Sequence, residues 1–382
     1  MTSRVVDETM PNLLIARTLL TESGPVDYPV IRIENGVVSA IESGEPNGSV
    51  ETLTAGFFDI HVHGAVARDF MAADSAEIAA VGRFLAGRGV AYYLPTTVTG
   101  PLELTLKALE RLADAIDAGG VDGAATPVGI HLEGPFVSHA RRGVHPASSI
   151  LEPSVEVFNQ FQEAARGHIR LITLAPELPH ALELTEHVTA RGVRVSMGHT
   201  DATADQTLAA IAAGASSATH LCNAMRPLHH REPGVIGTVL DRDDVYAEAI
   251  CDGIHVHPAL IRMWLKLKGE ARAILVTDGM SATGMPDGTY QLGDFPVEVR
   301  NGVCMTGSTL AGSTLTMDAA VANVRQFTGA SLASAVRLAS RNPAEMLGMP
   351  SLGRIAIGCP ANFNIFDEAG QRIGSILNGR RV

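Results

Sequence analysis

The sequence predicts an α/β fold, a (β/α)8 TIM barrel with a small β-sandwich domain formed by both termini. Three observations predict it. From residue 56 onward, eight short apolar strands alternate with stretches of helical period. The pieces on either side of that region are rich in short strands and turns. Imidazole or carboxylate side chains recur at the last positions of successive strands, the end at which such a barrel keeps its chemistry. On this reading residues 1–55 and 353–382 build the small β domain, and 56–352 the barrel with a hairpin inserted near 289–305.

Taken in order, residues 13–16, 30–33 and 36–41 are β-rich, and Glu34-Asn35-Gly36 is a hairpin signal. The eight barrel strands are expected at 57–63, 91–98, 127–133, 169–176, 193–199, 218–223, 246–252 and 273–278. Residues 75–88, 102–118 and 179–191 carry apolar side chains at helical spacing, and Thr200-Asp201-Ala202-Thr203 supplies N-cap chemistry for the Ala-rich helix that follows. Arg300-Asn301-Gly302-Val303 marks the turn of the inserted hairpin. Helices are expected at 315–327 and 333–346, and short strands at 353–366 and 373–377 that pair with residues 11–55.

A chain of 382 residues, 46% hydrophobic, can bury a large core. Its net charge of -12 and the lack of any basic run argue against a nucleic-acid footprint and leave anion binding to individually placed arginines. Cys222, Cys251, Cys304 and Cys359 are widely spaced, which fits reduced thiols better than a disulfide framework or a zinc knot. Residues 1–8 lack a long apolar segment and no apolar run is long enough to span a bilayer, so a cytoplasmic protein without a membrane partner is expected.

The chemistry starts at His61-Val62-His63. Side chains at i and i+2 of a strand share a face, so both imidazoles would point at one metal, although a lone His-x-His is more often structural. Glu133 ends the third strand, where Gly134-Pro135 forces a turn; alone it would read as a solvated strand end. His131 lies one layer deeper on the same face and reads as a hydrogen-bonded core histidine. His199 and His220 close strands five and six. Imidazoles and a carboxylate at four strand ends form a divalent-metal ligand set. Asp278, at the end of strand eight, would by itself be a turn residue before Gly279; opposite a metal it can take a proton from water and return it to a leaving group. That is hydrolase chemistry.

These residues lie within recognisable motifs: Gly56-Phe57-Phe58-Asp59-Ile60-His61-Val62-His63-Gly64, His131-Leu132-Glu133-Gly134-Pro135-Phe136, Arg142-Gly143-Val144-His145, Gly198-His199-Thr200, Thr219-His220-Leu221-Cys222-Asn223-Ala224-Met225, Arg231-Glu232-Pro233-Gly234, Asp252-Gly253-Ile254-His255, Thr277-Asp278-Gly279-Met280 and Leu310-Ala311-Gly312-Ser313. Over nearly its whole length the chain resembles the metal-dependent amidohydrolases, and within them the N-acetylglucosamine-6-phosphate deacetylases. The resemblance implies hydrolysis of the acetamide to glucosamine-6-phosphate and acetate. It implies that Glu133, His199 and His220 hold the main metal and that His61 and His63 allow a second ion, with zinc the first choice and iron or another divalent ion the alternative. Asp278 is then the acid/base, and His145 polarises the acetyl carbonyl. Val144, His145, Asn223, Ala224, Asp252, His255, Leu310, Ala311 and Gly312 would surround the sugar phosphate. Arg231 would pair with the phosphate from a neighbouring subunit, in a homodimer, although an Arg231–Glu232 pair within the loop is the plainer reading of the residues alone.

Three other readings compete. Cyclic amidases bridge their metals with a modified lysine at the end of strand four, where this chain has Thr173-Leu174-Ala175-Pro176-Glu177. A deacetylase for the epimeric N-acetylgalactosamine-6-phosphate would look the same, and a non-catalytic amino-sugar-phosphate sensor would not need Asp278. Arg226-Pro227-Leu228-His229-His230 and His139-Ala140-Arg141-Arg142 carry more charge and imidazole than the resemblance requires. Trp264 and Met280, Met285 and Met317 read as packing or loop residues.

Overall fold

The structure, a computed structural model, describes residues 12–382. The reading of residues 1–8 lies outside that range. Eight parallel strands form the barrel: β1 (Phe57–Val62), β2 (Val90–Thr97), β3 (Ile130–Glu133), β4 (Ile169–Leu174), β5 (Arg194–Met197), β6 (Ser217–Ala218), β7 (Tyr246–Ile250) and β8 (Ala273–Val276). They pair in sequence order from β1 to β8. The ring closes just past the last strand, where Val62 bridges to Gly279, the Asp278 N–H donates to His61 O at 2.9 Å and the His63 N–H to Gly279 O at 2.7 Å. β1 and β2 are buried along their whole length, as strands covered on both faces by side-chain layers and helices must be.

The helices between strands follow the expected pattern. α1 (Ser75–Gly87) opens with a reciprocal capping box between Asp74 and Glu77 and buries Ile78, Val81 and Leu85. α2 (Leu102–Asp117), α3 (Val155–Ala164), α4 (Ala181–Thr189), α5 (Ala204–Ala212), α6 (Gly234–Asp241), α7 (Pro258–Arg272) and α8 (Met317–Thr328) complete the ring. α5 is capped by Thr203, whose hydroxyl accepts from the Gln206 N–H, as its sequence predicts. The one long helix expected at 333–346 is two pieces, Leu332–Ala339 and Arg341–Met346, because the Ser340 backbone (φ -138°, ψ -73°) leaves the helical region.

Strand six is a correction. The sequence reading carried it to residue 223, but pairing stops at Ala218, and a tight turn follows with left-handed backbone at His220 (φ 29°), Cys222 (φ 82°) and Ala224 (φ 50°). The inserted segment is larger than a hairpin: Gly288–Leu292, Phe295–Arg300, Val303–Thr306 and Thr309–Leu310 form a four-stranded antiparallel sheet.

Both ends of the described chain join in separate sheets beside the barrel. One sheet consists of Leu13–Ile15, Pro29–Glu34 and Val37–Ser43, the second hairpin turning at Asn35 (φ 52°) and Gly36 (φ 76°). The other has six strands, and Phe363–Phe366 lies antiparallel to Thr52–Ala55 within it. Leu14, Leu19, Ile31, Leu53, Phe363 and Ile376 are fully buried between them. The Gly56 N–H donates to Asn362 O at 3.0 Å and Asn364 Nδ2 to Gly89 O at 2.9 Å, which fastens these sheets to the strand starts of the barrel. No helix among the described residues is long and apolar enough to cross a membrane.

Candidate active site

Seven of the predicted residues meet at the C-terminal mouth of the barrel. Glu133, at the end of β3, is the centre: His199 Nε2 lies 3.2 Å and His220 Nε2 3.1 Å from its Oε1, while His63 Nε2 lies 3.3 Å and His145 Nε2 3.6 Å from its Oε2. On the other side His61 Nε2 and His63 Nε2 stand 3.5 and 3.2 Å from Asp278 Oδ1. Three groups of donors therefore lie close enough to share an ion: His61, Glu133 and His220; His61, His63 and Asp278; Glu133, His145 and His199. Sharp backbone turns aim them. His199 (φ 47°), His220 (φ 29°) and Asp278 (φ 51°) all adopt the left-handed region, which costs side-chain-bearing residues energy and is held here by the surrounding barrel.

The backs of the imidazoles decide their tautomers. His63 Nδ1 lies 3.2 Å from Thr96 O and His199 Nδ1 3.3 Å from Arg141 O. A carbonyl can only accept, so the proton sits on Nδ1 and the Nε2 lone pair faces the cluster. Nε2 atoms pack against each other at 3.2 Å in both the His61–His63 and the His199–His220 pairs, an arrangement of acceptors that a divalent cation satisfies. The electrostatics agree. Burial alone would lower the basicity of His61 and His63, yet Glu133 and Asp278 lift His63 to about 9 and His61 well above its ordinary value. Burial would raise Glu133 and Asp278, but the surrounding imidazoles hold both well below the usual carboxylate range. The site is a pair of anions demanding positive charge, and the donor set fits one or two divalent ions.

Behind this layer lie residues that sequence reasoning singled out only in part. His131, read as a deeper histidine, bonds Thr173 Oγ1 at 2.8 Å, and burial pushes it well below its ordinary value, so it is neutral. Asp59 is fully buried and accepts from Thr277 Oγ1 at 2.5 Å, tying β1 to β8 directly beneath His61. Glu248, on β7, places Oε2 3.7 Å from His61 Nδ1. Thr99 Oγ1 lies 2.6 Å from His145 Nδ1. A signal existed for two of these, since Asp59 and Glu248 are carboxylates inside otherwise apolar strands; Thr99 had none.

The cavity over the cluster encloses ≈ 420 Å³ and is lined by His63, Glu133, His145, His199, His220 and Asp278, with Val144, Asn223, Ala224, His255, Leu310 and Gly312 from the predicted set. Cys222 joins from the strand-six turn, and Leu292, Ser308 and Thr309 from the inserted sheet; none of these was foreseen. Asp252 is not in the lining but stands behind His255, bonding its Nδ1 at 2.6 Å. Ala311 is fully buried outside the lining. Arg231 is also outside it, in an exposed loop where its Nη1 meets His230 Nε2 at 3.0 Å. The plain Arg231–Glu232 pair is absent among the described residues, because Glu232 Oε1 accepts from the Ala204 and Gly234 N–H groups at the starts of α5 and α6. The charged loop residues have structural partners: Arg141 and Arg226 both pair with Asp201, at 2.7 and 2.8 Å, and Arg142 Nη1 donates to His145 O at 2.8 Å. Glu177, where a cyclic amidase would have its lysine nearby, instead accepts from Thr200 Oγ1 and Asp201 N. Trp264 is buried, with Nε1 donating to Ala247 O at 3.1 Å.

An eight-stranded parallel barrel whose mouth carries imidazoles and carboxylates around one bridging glutamate defines a metal-dependent barrel hydrolase. Residues 52–382 match the amidohydrolase family, and the chain belongs to that family. It is 40% identical over 359 residues to the N-acetylglucosamine-6-phosphate deacetylase of Lysinibacillus sphaericus, covering 92% of each chain. It is 39% identical over 364 residues to the N-acetylgalactosamine-6-phosphate deacetylase of Escherichia coli O157:H7, covering 94% of this chain and 96% of that one. Among solved structures it is similar to a substituted Mycobacterium smegmatis N-acetyl-D-glucosamine-6-phosphate deacetylase in complex with N-acetyl-D-glucosamine-6-phosphate, with a TM-score of 0.91, 35% identity and coverage of 97% and 98%.

Proposed function

We propose that the protein hydrolyses the acetamide of N-acetylglucosamine-6-phosphate to glucosamine-6-phosphate and acetate. The observation that carries this reading is the convergence of Glu133, His63, His199 and His220 on the cavity, with His61 buried directly behind them 3.4 Å from Glu133, and Asp278 3.2 Å from His63 and open to the same space. Glu133, His199 and His220 would hold the principal divalent ion, and His61 and His63 a second; zinc is our first choice. Such an ion supplies Lewis-acid activation of water and of the acyl carbonyl. Asp278, kept ionised by its surroundings, takes the proton from the attacking water and delivers it to the departing amine. His145 is kept neutral by burial and by His199, and with Thr99 donating to Nδ1 its Nε2–H is free to stabilise the developing oxyanion. Val144, Asn223, Ala224, His255, Leu310 and Gly312 shape the sugar side of the cavity, with Asp252 orienting His255.

The phosphate requires a cation that the chain's own cavity lacks: no Lys or Arg lines it. Arg231 of a second subunit would supply it in a homodimer. Two features support that assembly: Leu260, Met263 and Leu267 form a stripe on α7 that is 44–51% exposed, and Leu228, on the Arg231 loop, and Ile254, just before α7, are 55% and 47% exposed. A cytoplasmic location fits a phosphorylated sugar substrate. The N-acetylgalactosamine-6-phosphate reading is kept because a deacetylase of that name is almost equally similar. Assay of both epimeric substrates, before and after removal and restoration of metal, tests the proposal. We expect metal-dependent acetate release with the higher kcat/KM for the gluco epimer; full activity after chelation, or preference for the galacto epimer, overturns the corresponding part.

A further inference from the structure

A second cavity, of ≈ 210 Å³, lies away from the mouth, between the ends of α1 and α8 and the turn before the strand Arg372–Leu377. Its lining includes three guanidiniums, Arg88, Arg325 and Arg372, and a single carboxylate, Asp318. The compensation is thin. Arg88 Nη1 and Arg372 Nη2 share one Asp318 oxygen at 3.7 and 3.6 Å, Arg372 also donates to Ser375 Oγ at 2.9 Å and to the Gly87 carbonyl, and Arg325 Nη1 donates to the Gly370 carbonyl at 2.7 Å, so Asp318 is the one carboxylate facing the three guanidiniums. The Nε atoms of Arg325 and Arg372 are buried and lack a hydrogen-bond partner among the described residues. Burial pulls the Arg372 guanidinium below its ordinary value, and Asp318 does not restore it. Gly370 (φ 73°) admits Arg325, since a Cβ there would come within 2.8 Å of its guanidinium. α8 begins at this cavity, and its N-cap, Thr316, makes no side-chain capping bond.

We infer that this cavity binds a small dianion, inorganic phosphate or the phosphate of a phosphomonoester, at a site separate from the catalytic one. Three guanidiniums against one carboxylate leave two positive charges in a chain whose net charge is -12, so the concentration of cations is local and not a by-product of overall basicity. Guanidinium forks match phosphate oxygens in pairs, and the first turn of α8 lies beside them, with its Ala319 N–H already donated to Asp318 Oδ1 at 3.0 Å. The other arginine-lined cavity, bounded by Arg337, Arg341 and Arg354, is less suited, because Glu22 already pairs with Arg341 and Arg354 there.

The test uses the whole protein and Arg88→Gln, a substitution at a side chain 45% exposed and remote from the catalytic cluster, so folding and turnover should be retained. Titration calorimetry with inorganic phosphate at fixed ionic strength, acetate being the monoanion control, should show a saturable component that weakens about tenfold or more in Arg88→Gln. Crystals soaked in tungstate should show anomalous density among Arg88, Arg325 and Arg372 in the parent protein. Phosphate isotherms that superimpose for parent and variant, acetate binding as tight as phosphate, or tungsten confined to the catalytic cavity would each overturn the site.

Discussion

Asp278 occupies a position from which one side chain can serve both proton transfers, and the neighbouring His61 and His63 keep it in the basic form. Asp278→Asn preserves its shape without its basicity and should leave metal content intact while slowing turnover at least about a hundredfold; a near-normal rate would move the proton to another residue. Thr99 matters through His145. Thr99→Val removes the hydroxyl that fixes the Nδ1 side of that imidazole, and kcat should fall about tenfold or more while KM changes little, as expected when a transition-state contact is loosened. Glu248 acts on the metal side. His61 Nδ1 and Glu248 Oε2 are both buried without a hydrogen-bond partner and lie 3.7 Å apart, so the carboxylate is the group placed to hold the imidazole's back. Glu248→Gln should weaken metal retention on the order of 10–100-fold in a chelator competition, a readout that packing alone does not move. The candidate ligands were legible in the sequence because each lies at or within a few residues of a strand's end, in a fold that collects strand ends. Thr99 was not, and Glu248 showed only as a carboxylate inside an apolar strand, since their partners His145 and His61 come from distant segments and are met only in three dimensions.

At the scale of elements, the apolar runs of β1 and β2 were readable because burial on both faces removes polar alternation. The short β6 was not: the sequence predicts a strand over 218–223, but left-handed backbone at His220, Cys222 and Ala224 makes the part beyond Ala218 the turn that presents His220 and Asn223. The inserted sheet was seen as a hairpin, but its share of the cavity through Leu292, Ser308 and Thr309 depends on how it folds back. Asp69 holds it there, accepting from the Gly293 N–H at 2.8 Å and the Met71 N–H at 2.7 Å. Burial lifts this carboxyl from 3.8 to about 6. Between those values the folded protein keeps a proton that the unfolded chain has released, so the contribution is fully present at low pH and is lost as pH rises through about 6. Asp69→Asn cannot ionise, and relative to the parent it should gain ~2–3 kcal/mol in urea-unfolding free energy between pH 4 and pH 7. A pH-independent difference between the two proteins would show that Asp69 is already ionised throughout.

For the molecule as a whole, a cavity without its own Lys or Arg in a chain of charge -12 makes the proposed supply of Arg231 by a second subunit the central question. Arg231→Ala should raise KM for the phosphorylated substrate far more than for unphosphorylated N-acetylglucosamine, and mixing it with Asp278→Asn should restore activity, because one site of each heterodimer then has both residues intact. No recovery despite demonstrated subunit exchange would return Arg231 to its own loop. The pairing of both chain ends was legible from their shared β texture; its exact register was not, since short strands next to Gly and Asn allow several. That pairing also orders events in time. Thr52–Ala55 leads directly into β1 and lies between two sheet partners, Thr18–Thr21, made before it, and Phe363–Phe366, made almost last, so during translation one edge of this strand stays open until nearly the whole chain has left the ribosome. A ribosome-bound chain stopped at residue 360 should therefore be cut by protease around Thr52–Ala55, where the released full-length chain resists. Synthesis of this enzyme thus includes an interval in which a nearly complete polypeptide carries an open sheet edge beside its first barrel strand.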